Sequence, residues 1–269
     1  MKTVLTIAGY DPSSGAGITA DLMVFAAYGL FGTSCITSLT VQSTLGVVAS
    51  HPLEPELLRK MLGCLADDLP PAGIKIGMLG TAALVHVVAD FLEIIRARSP
   101  RTFVILDTVL CSSSGRELLE PAGIEVLRSR LLPLVDWTTP NIDELALLTG
   151  FHVKTQADLP AATIALQSMA GKRLSVLATG GHLEPPDDLL LTGEGDMVWL
   201  PGHRIISNST HGTGCAFSSA LLSELILGGS PRAAASAAKA YVANAIRTAT
   251  PIGGGKGPLN HLWPIKVPK

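Results

Sequence analysis

Thr210-His211-Gly212-Thr213-Gly214-Cys215 runs directly into the apolar stretch 216–227, and that order of residue types has a chemical meaning. Glycines let the backbone turn tightly. The helix that the apolar run predicts aims its unpaired N–H groups and the positive end of its dipole at whatever the turn encloses. Gly212, Thr213 and Gly214 are therefore a candidate anion hole. A cysteine in the first turn of such a helix is expected to have a lowered thiol pKa and to accept a proton near neutral pH. An anion hole beside a base is what phosphoryl transfer to an alcohol requires. Composition alone also allows a structural glycine turn followed by a packed cysteine, because free cysteine is among the most buried residue types.

The elements that must position these residues follow from periodicity. Short β-rich runs at 4–8, 34–41, 73–76, 102–106, 137–139 and 174–178 alternate with helical patterns at 18–28, 55–68, 82–98, 121–131, 142–148 and 158–169. That alternation predicts a mostly parallel sheet with helices on both faces. Residues 188–192 and 197–200, joined through Gly193 and Gly195, read as a hairpin at the sheet edge. Two helices, 215–227 and 231–248, follow.

In open parallel sheets ligands bind beyond the carboxyl ends of the strands. Here those ends carry Gly9 and Asp11, then Gln42, Gly77, Asp107, Asn141 and Glu144, and finally 179–182. Each alone is an ordinary turn residue; together they argue for one site. Asp21 lies three residues after Ile18 and four before Phe25, on the apolar stripe of its helix, where a carboxylate needs a partner. The helix N-terminus is one account of that partner and substrate is the other.

With 269 residues, 47% of them hydrophobic, the chain is expected to form one large domain spanning 1–269. Twenty Lys+Arg against 22 Asp+Glu, with no run of like charge, make nucleic acid an unexpected partner. Cys35, Cys64, Cys111 and Cys215 lack disulfide or zinc spacing and suit a reducing cytoplasm. The uncharged stretch 22–53 is too often interrupted by Gly, Ser and Thr to span a bilayer, and the short apolar run at 4–8 is too short for a secretory signal, so no membrane is expected.

Longer segments carry a resemblance. Ala8-Gly9-Tyr10-Asp11-Pro12-Ser13-Ser14-Gly15-Ala16-Gly17-Ile18-Thr19-Ala20-Asp21 is similar to the opening of the hydroxymethylpyrimidine/phosphomethylpyrimidine kinases, thiamine-pathway members of the ribokinase superfamily. Segments 36–44, 75–79 (Lys75-Ile76-Gly77-Met78-Leu79), 106–109, 139–144, 180–182, 210–215 and 255–261 resemble the same family, in family order. The resemblance implies a ribokinase-like three-layer α/β/α fold, ATP and Mg2+, a homodimer, and a small pyrimidine alcohol as acceptor. It implies Cys215 as base where most ribokinase relatives carry aspartate, and an anion hole of Gly212, Thr213 and Gly214. Asn141 and Glu144 match the N-x-x-E magnesium-phosphate motif, with Asp107 organising the metal or its waters; Asn141 also suits a helix N-cap. Asn141, Thr179 and Gly181 are implied at the nucleotide, and Gly9, Ala16, Asp21, Gln42, Met78 and Val109 at the substrate. The Gln42 amide, donor and acceptor together, suits an aminopyrimidine edge.

This chain departs from the family where Thr179 replaces a usual lysine and where Cys111-Ser112-Ser113-Ser114-Gly115 lacks another. Ser14, Tyr10 and Ser209 are further departures. A pyridoxal or pyridoxine kinase, or a catalytically weakened ligand-binding relative, are the alternative functions. Residues 253–257 mimic a phosphate loop, but no Ser or Thr follows Lys256, and they read as a mobile C-terminal loop.

Overall fold

The computed structural model describes residues 1–112, 115–171 and 173–265. Strand β1 (Thr3–Tyr10) leads into helix α1 (Gly17–Ala27), β2 (Phe31–Ser43) and β3 (Gly46–Pro52). Then come α2 (Pro55–Asp68), β4 (Gly73–Ile76), α3 (Ala82–Arg98), β5 (Phe103–Leu106) and α4 (Pro121–Val126). The remainder is β6 (Trp137–Thr138), α5 (Ile142–Thr149), α6 (Leu159–Ala170), β7 (Ser175–Ala178), β8 (Asp188–Leu191), β9 (Met197–Leu200), α7 (Thr213–Ile226) and α8 (Pro231–Arg247). One sheet orders the strands β3-β2-β1-β4-β5-β6-β7-β8-β9. From β2 through β7 neighbours are parallel, while β3, β8 and β9 each pair antiparallel with the preceding strand in the chain.

Side chains alternate across the sheet because the strand period is two. Leu5, Ile7, Val104, Leu106, Val176 and Ala178 face a core closed by α2, α3, α5 and α6. Val4, Ile105, Leu177 and Leu190 face a second core closed by α1, α7 and α8. The result is the three-layer α/β/α sandwich that the alternating pattern predicts. Burying both faces also explains why the central strands read as continuous apolar runs.

Two expectations are corrected. The strand expected over 34–41 runs on to Ser43 and turns into β3, an antiparallel edge strand; Leu45 in the turn and Val48 in β3 are 78% and 71% exposed. The helix expected over 121–131 stops at Val126 and continues as a π-helical turn, Leu127–Leu131, and a 3-10 turn, Leu132–Leu134, where Pro133 removes an N–H donor.

Candidate active site

A crevice of about 1730 Å³ opens beyond the carboxyl ends of the parallel strands. It is lined by Gly9, Ala16, Gln42, Met78 and Val109, by Asn141, Thr179 and Gly181, and by Asp107, Glu144 and the 212–215 turn. Every expected site residue except Asp21 lines it. Ser113 and Ser114, in the loop that lacks a lysine, lie outside the described residues.

The loop between β1 and α1 is built around Asp11. Its Oδ1 accepts from Ser13 N at 2.8 Å and Ser13 Oγ at 2.7 Å, and its Oδ2 from Ala16 N at 3.0 Å. Oδ2 also lies 2.7 Å from His211 Nε2, which joins this loop to the anion turn. Burial alone would raise the Asp11 carboxyl, but hydrogen bonds from His211 and Ser13 hold it below the ordinary range. A carboxylate acceptor fixes the His211 proton on Nε2. Gln42 Nε2 sits 3.0 Å from that nitrogen while Gln42 Oε1 accepts from Thr40 Oγ1 at 3.2 Å. With His211 donating, the Gln42 amine keeps an unmet donor for a ligand.

Gly212 caps α7 with φ +86°, and a Cβ there would collide with the Gly15 carbonyl oxygen. Only glycine fits, on both counts. The turn is pinned by Thr213 Oγ1 donating to Thr210 O at 2.6 Å, and the first N–H groups of a helix have no partner within it.

Cys215 follows in the first helical turn, and here the expectation of a lowered thiol pKa is overturned. Burial pushes the thiol up to about 12; Lys75 pulls it down, but Asp21 and Asp107 push it further up, and a hydrogen bond from Gly17 N opposes them only in part. Burial, the largest of these influences, outweighs the helix end. The thiolate, once formed, is accordingly a strong base.

Asp21 is corrected too. It is fully buried, outside the crevice lining, with Oδ2 accepting from Thr6 Oγ1 at 2.6 Å and Lys75 Nζ at 3.0 Å, and Oδ1 from Ser219 Oγ at 2.8 Å. Its partner is thus neither substrate nor the helix N-terminus but an unforeseen lysine. The sequence signal was available: Lys75 is the one charged residue in Gly73–Ile76, a strand short and apolar enough to be wholly buried.

Asn141 and Glu144 form a capping box on α5. Asn141 Oδ1 accepts from Asp143 N and Glu144 N, and Glu144 Oε2 accepts from Asn141 N at 2.9 Å. Thr108 Oγ1 donates to the same Oε2 at 3.1 Å. Burial, reinforced by Asp107, pushes the Glu144 carboxyl up to about 8. Asp107 is raised as well, by burial first and by Asp21, against the pull of Lys75. Thr179 N donates to Pro140 O at 2.9 Å, and Gly180 N to Asp188 Oδ1 at 2.9 Å. The glycine-rich loop expected to be mobile is tied down: Lys256 N donates to Thr44 O and His211 N to Gly257 O, both at 3.0 Å.

A crevice at the carboxyl edge of a mostly parallel sheet, closed by a helix aimed at its floor, is the architecture of the ribokinase-like phosphotransferases. The chain belongs to the phosphomethylpyrimidine kinase family, whose sequence model matches residues 11–260. It is 40% identical over 266 residues to the hydroxymethylpyrimidine/phosphomethylpyrimidine kinase of Haemophilus influenzae, an alignment covering 97% of each chain. Among solved structures, phosphomethylpyrimidine kinase from Clostridium difficile matches with a TM-score of 0.79 and 33% identity, covering 91% of this chain and all of that one. An ADP complex of Bacillus subtilis pyridoxal kinase matches with a TM-score of 0.86 and 30% identity, covering 97% of both chains.

Proposed function

We propose that this chain transfers the γ-phosphoryl group of ATP to the hydroxymethyl group of 4-amino-5-hydroxymethyl-2-methylpyrimidine, and a second one to the monophosphate so formed, in thiamine biosynthesis. The observation that carries it is the placement of the Cys215 turn and the Gln42 amide on one crevice. The unmet Gln42 donor suits a ring nitrogen of the aminopyrimidine, with Gly9, Ala16, Met78 and Val109 shaping the space around the ring. As thiolate, Cys215 takes the hydroxyl proton while the alcohol oxygen bonds to the γ-phosphorus and ADP departs. The N–H groups of Gly212, Thr213 and Gly214 offset the charge on the transferring group. Asn141, Thr179 and Gly181 hold the nucleotide.

Among the described residues no three His, Cys, Asp or Glu side chains gather as a metal cage. That fits Mg2+, which is usually held by phosphates, waters and one or two carboxylates. Of the carboxylates that line the crevice, Asp107 and Glu144 are the two that would hold the ion, which would neutralise polyphosphate charge. The same placement of polar groups would serve a pyridoxal ring, and the higher TM-score of the pyridoxal kinase favours that as the second reading. We assign one domain to the 269 residues. A homodimer across the apolar β2–β3 hairpin would cover Val41, Leu45 and Val48, which are all exposed. Four free cysteines suit the cytoplasm, and no helix among the described residues is long and apolar enough to cross a membrane.

The test is ADP release from Mg-ATP with each ring alcohol in turn. Turnover greatest with the hydroxymethylpyrimidine and its monophosphate supports the proposal; turnover greatest with pyridoxal supports the second reading. No turnover with either leaves a ligand-binding relative.

A further inference from the structure

Lys75 is the only lysine or arginine buried in the described protein, and its ammonium lies under the catalytic turn. Nζ is 3.0 Å from Asp21 Oδ2 and 3.6 Å from Asp107 Oδ2. Each carboxylate also holds α7: Asp21 Oδ1 takes Ser219 Oγ at 2.8 Å, and Asp107 Oδ2 takes Ser218 Oγ at 3.1 Å. Ser218 Oγ further reaches the carbonyls of Gly214 at 3.0 Å and Cys215 at 3.2 Å. Strand β4 is thus bolted through two carboxylates to the helical turn that carries the base. The space for the ammonium is kept open by Gly77, where a Cβ would press on Nζ at 2.9 Å.

We propose that Lys75 is the positioning residue for the base: its fixed charge balances the carboxylates around Cys215 and, through them, sets the sulfur over the crevice. Lysine is rarely buried without a function or a partner. A hydrophobic residue of the same volume, with one carboxylate fewer, would stabilise the core as well. What it could not supply is a cation beside a sulfur that must become negative. Two carboxylates, at 3.0 and 3.6 Å, hold the ammonium in place.

The inference rests on the kinase reading of the crevice, and two readouts keep them apart. Lys75→Met, and Lys75→Met paired with Asp21→Asn so that no lone carboxylate is left buried, are each made in the wild-type and in the Cys215→Ala background. In the wild-type background kcat should fall about 30-fold with KM for the ring alcohol held within about threefold, as expected for charge placed at the reacting group. In the Cys215→Ala background the same change should cost less than about twofold, since residues that act as a unit are not additive. Iodoacetamide labelling of Cys215, followed on its own peptide at one pH, should slow about tenfold, because the thiolate is the nucleophile. The labelling readout stands whether or not any ring alcohol is phosphorylated. Equal losses in both backgrounds, or unchanged labelling, overturn the proposal. So does a paired variant that fails to fold by circular dichroism, which would assign Lys75 to the core alone.

Discussion

His211 and Asp11 meet at 2.7 Å across 200 residues of sequence. The contact fastens the loop after β1 to the turn before α7. The Gln42 amine lies 3.0 Å from the same imidazole nitrogen, so the loop after β1, the anion turn and Gln42 meet at one histidine.

Gln42→Leu should therefore raise KM for the hydroxymethylpyrimidine far more than for ATP. A buried polar edge left without its partner loses about 1–3 kcal/mol, roughly 5- to 150-fold in KM. Steady-state kinetics with each substrate varied in turn is the check, and equal effects on both substrates would remove Gln42 from the ring pocket.

Replacing Cys215 with Ala should lower kcat by roughly 10²–10⁴, the usual worth of a positioned base, with nucleotide binding retained. Because burial pushes the thiol up to about 12, its thiolate fraction grows throughout the neutral range. The wild-type rate should climb from pH 7 to 9 without a plateau, and Cys215→Ala should flatten that climb. A plateau near pH 7 would show that the bound substrates bring the thiol down.

Thr179→Lys should raise kcat about three- to tenfold and leave KM for the ring alcohol nearly unchanged, because a cation at the phosphate acts chiefly on turnover. Two cations that could have stood in are engaged elsewhere. Lys239 Nζ is 2.8 Å from Asp188 Oδ2 and also donates to Pro186 O and Leu200 O, and Arg116 donates to Val48 O at 2.7 Å. A lower or unchanged kcat would show that the site is already neutralised.

Glu144 gives a stability prediction with a definite sign. Its folded carboxyl sits at about 8 against an ordinary 4.5, through burial first and Asp107 second. Between those two values the folded chain keeps a proton that the unfolded chain has released, so this contribution to stability falls as pH rises through the window. Glu144→Gln keeps the capping box and removes the titration. The ligand-free variant should lose less melting temperature than wild type between pH 5 and 8, by about 2–4 °C for a change of 1–2 kcal/mol in a chain of this size. Parallel melting curves for wild type and variant would reveal a missing protective effect.

Period-two and helical spacing predict most of the elements, and four of them (Pro55–Asp68, Ala82–Arg98, Gly73–Ile76 and Met197–Leu200) match the sequence reading at both ends. Strand β3 escaped because Gly46, Ser50 and His51 dilute its pattern and its pairing partner is β2 alone. The crevice residues were legible where motif and strand end coincide. The pairing of Asp21 was not, although Lys75 stands out as the lone charge in a short apolar strand, since Thr6, Lys75 and Ser219 come from three different elements and only the folded sheet brings them together. The raised thiol of Cys215 was missed for the same reason. A helix terminus is visible in sequence, whereas the burial that outweighs it exists only once the sheet and its helices have packed.

The glycine loop before α1 has one more tie. His261 Nε2 lies 3.1 Å from the Gly15 carbonyl, 246 residues away, and that carbonyl is the group against which Gly212 packs. Strands β1, β2 and β4 all lie within the first 76 residues and can pair while the chain is still being made. The crevice cannot, because its first loop waits for His261, and contacts of such span close late. Activity on this account depends on a contact that spans most of the described chain, and its recovery should lag recovery of secondary structure when the denatured protein refolds.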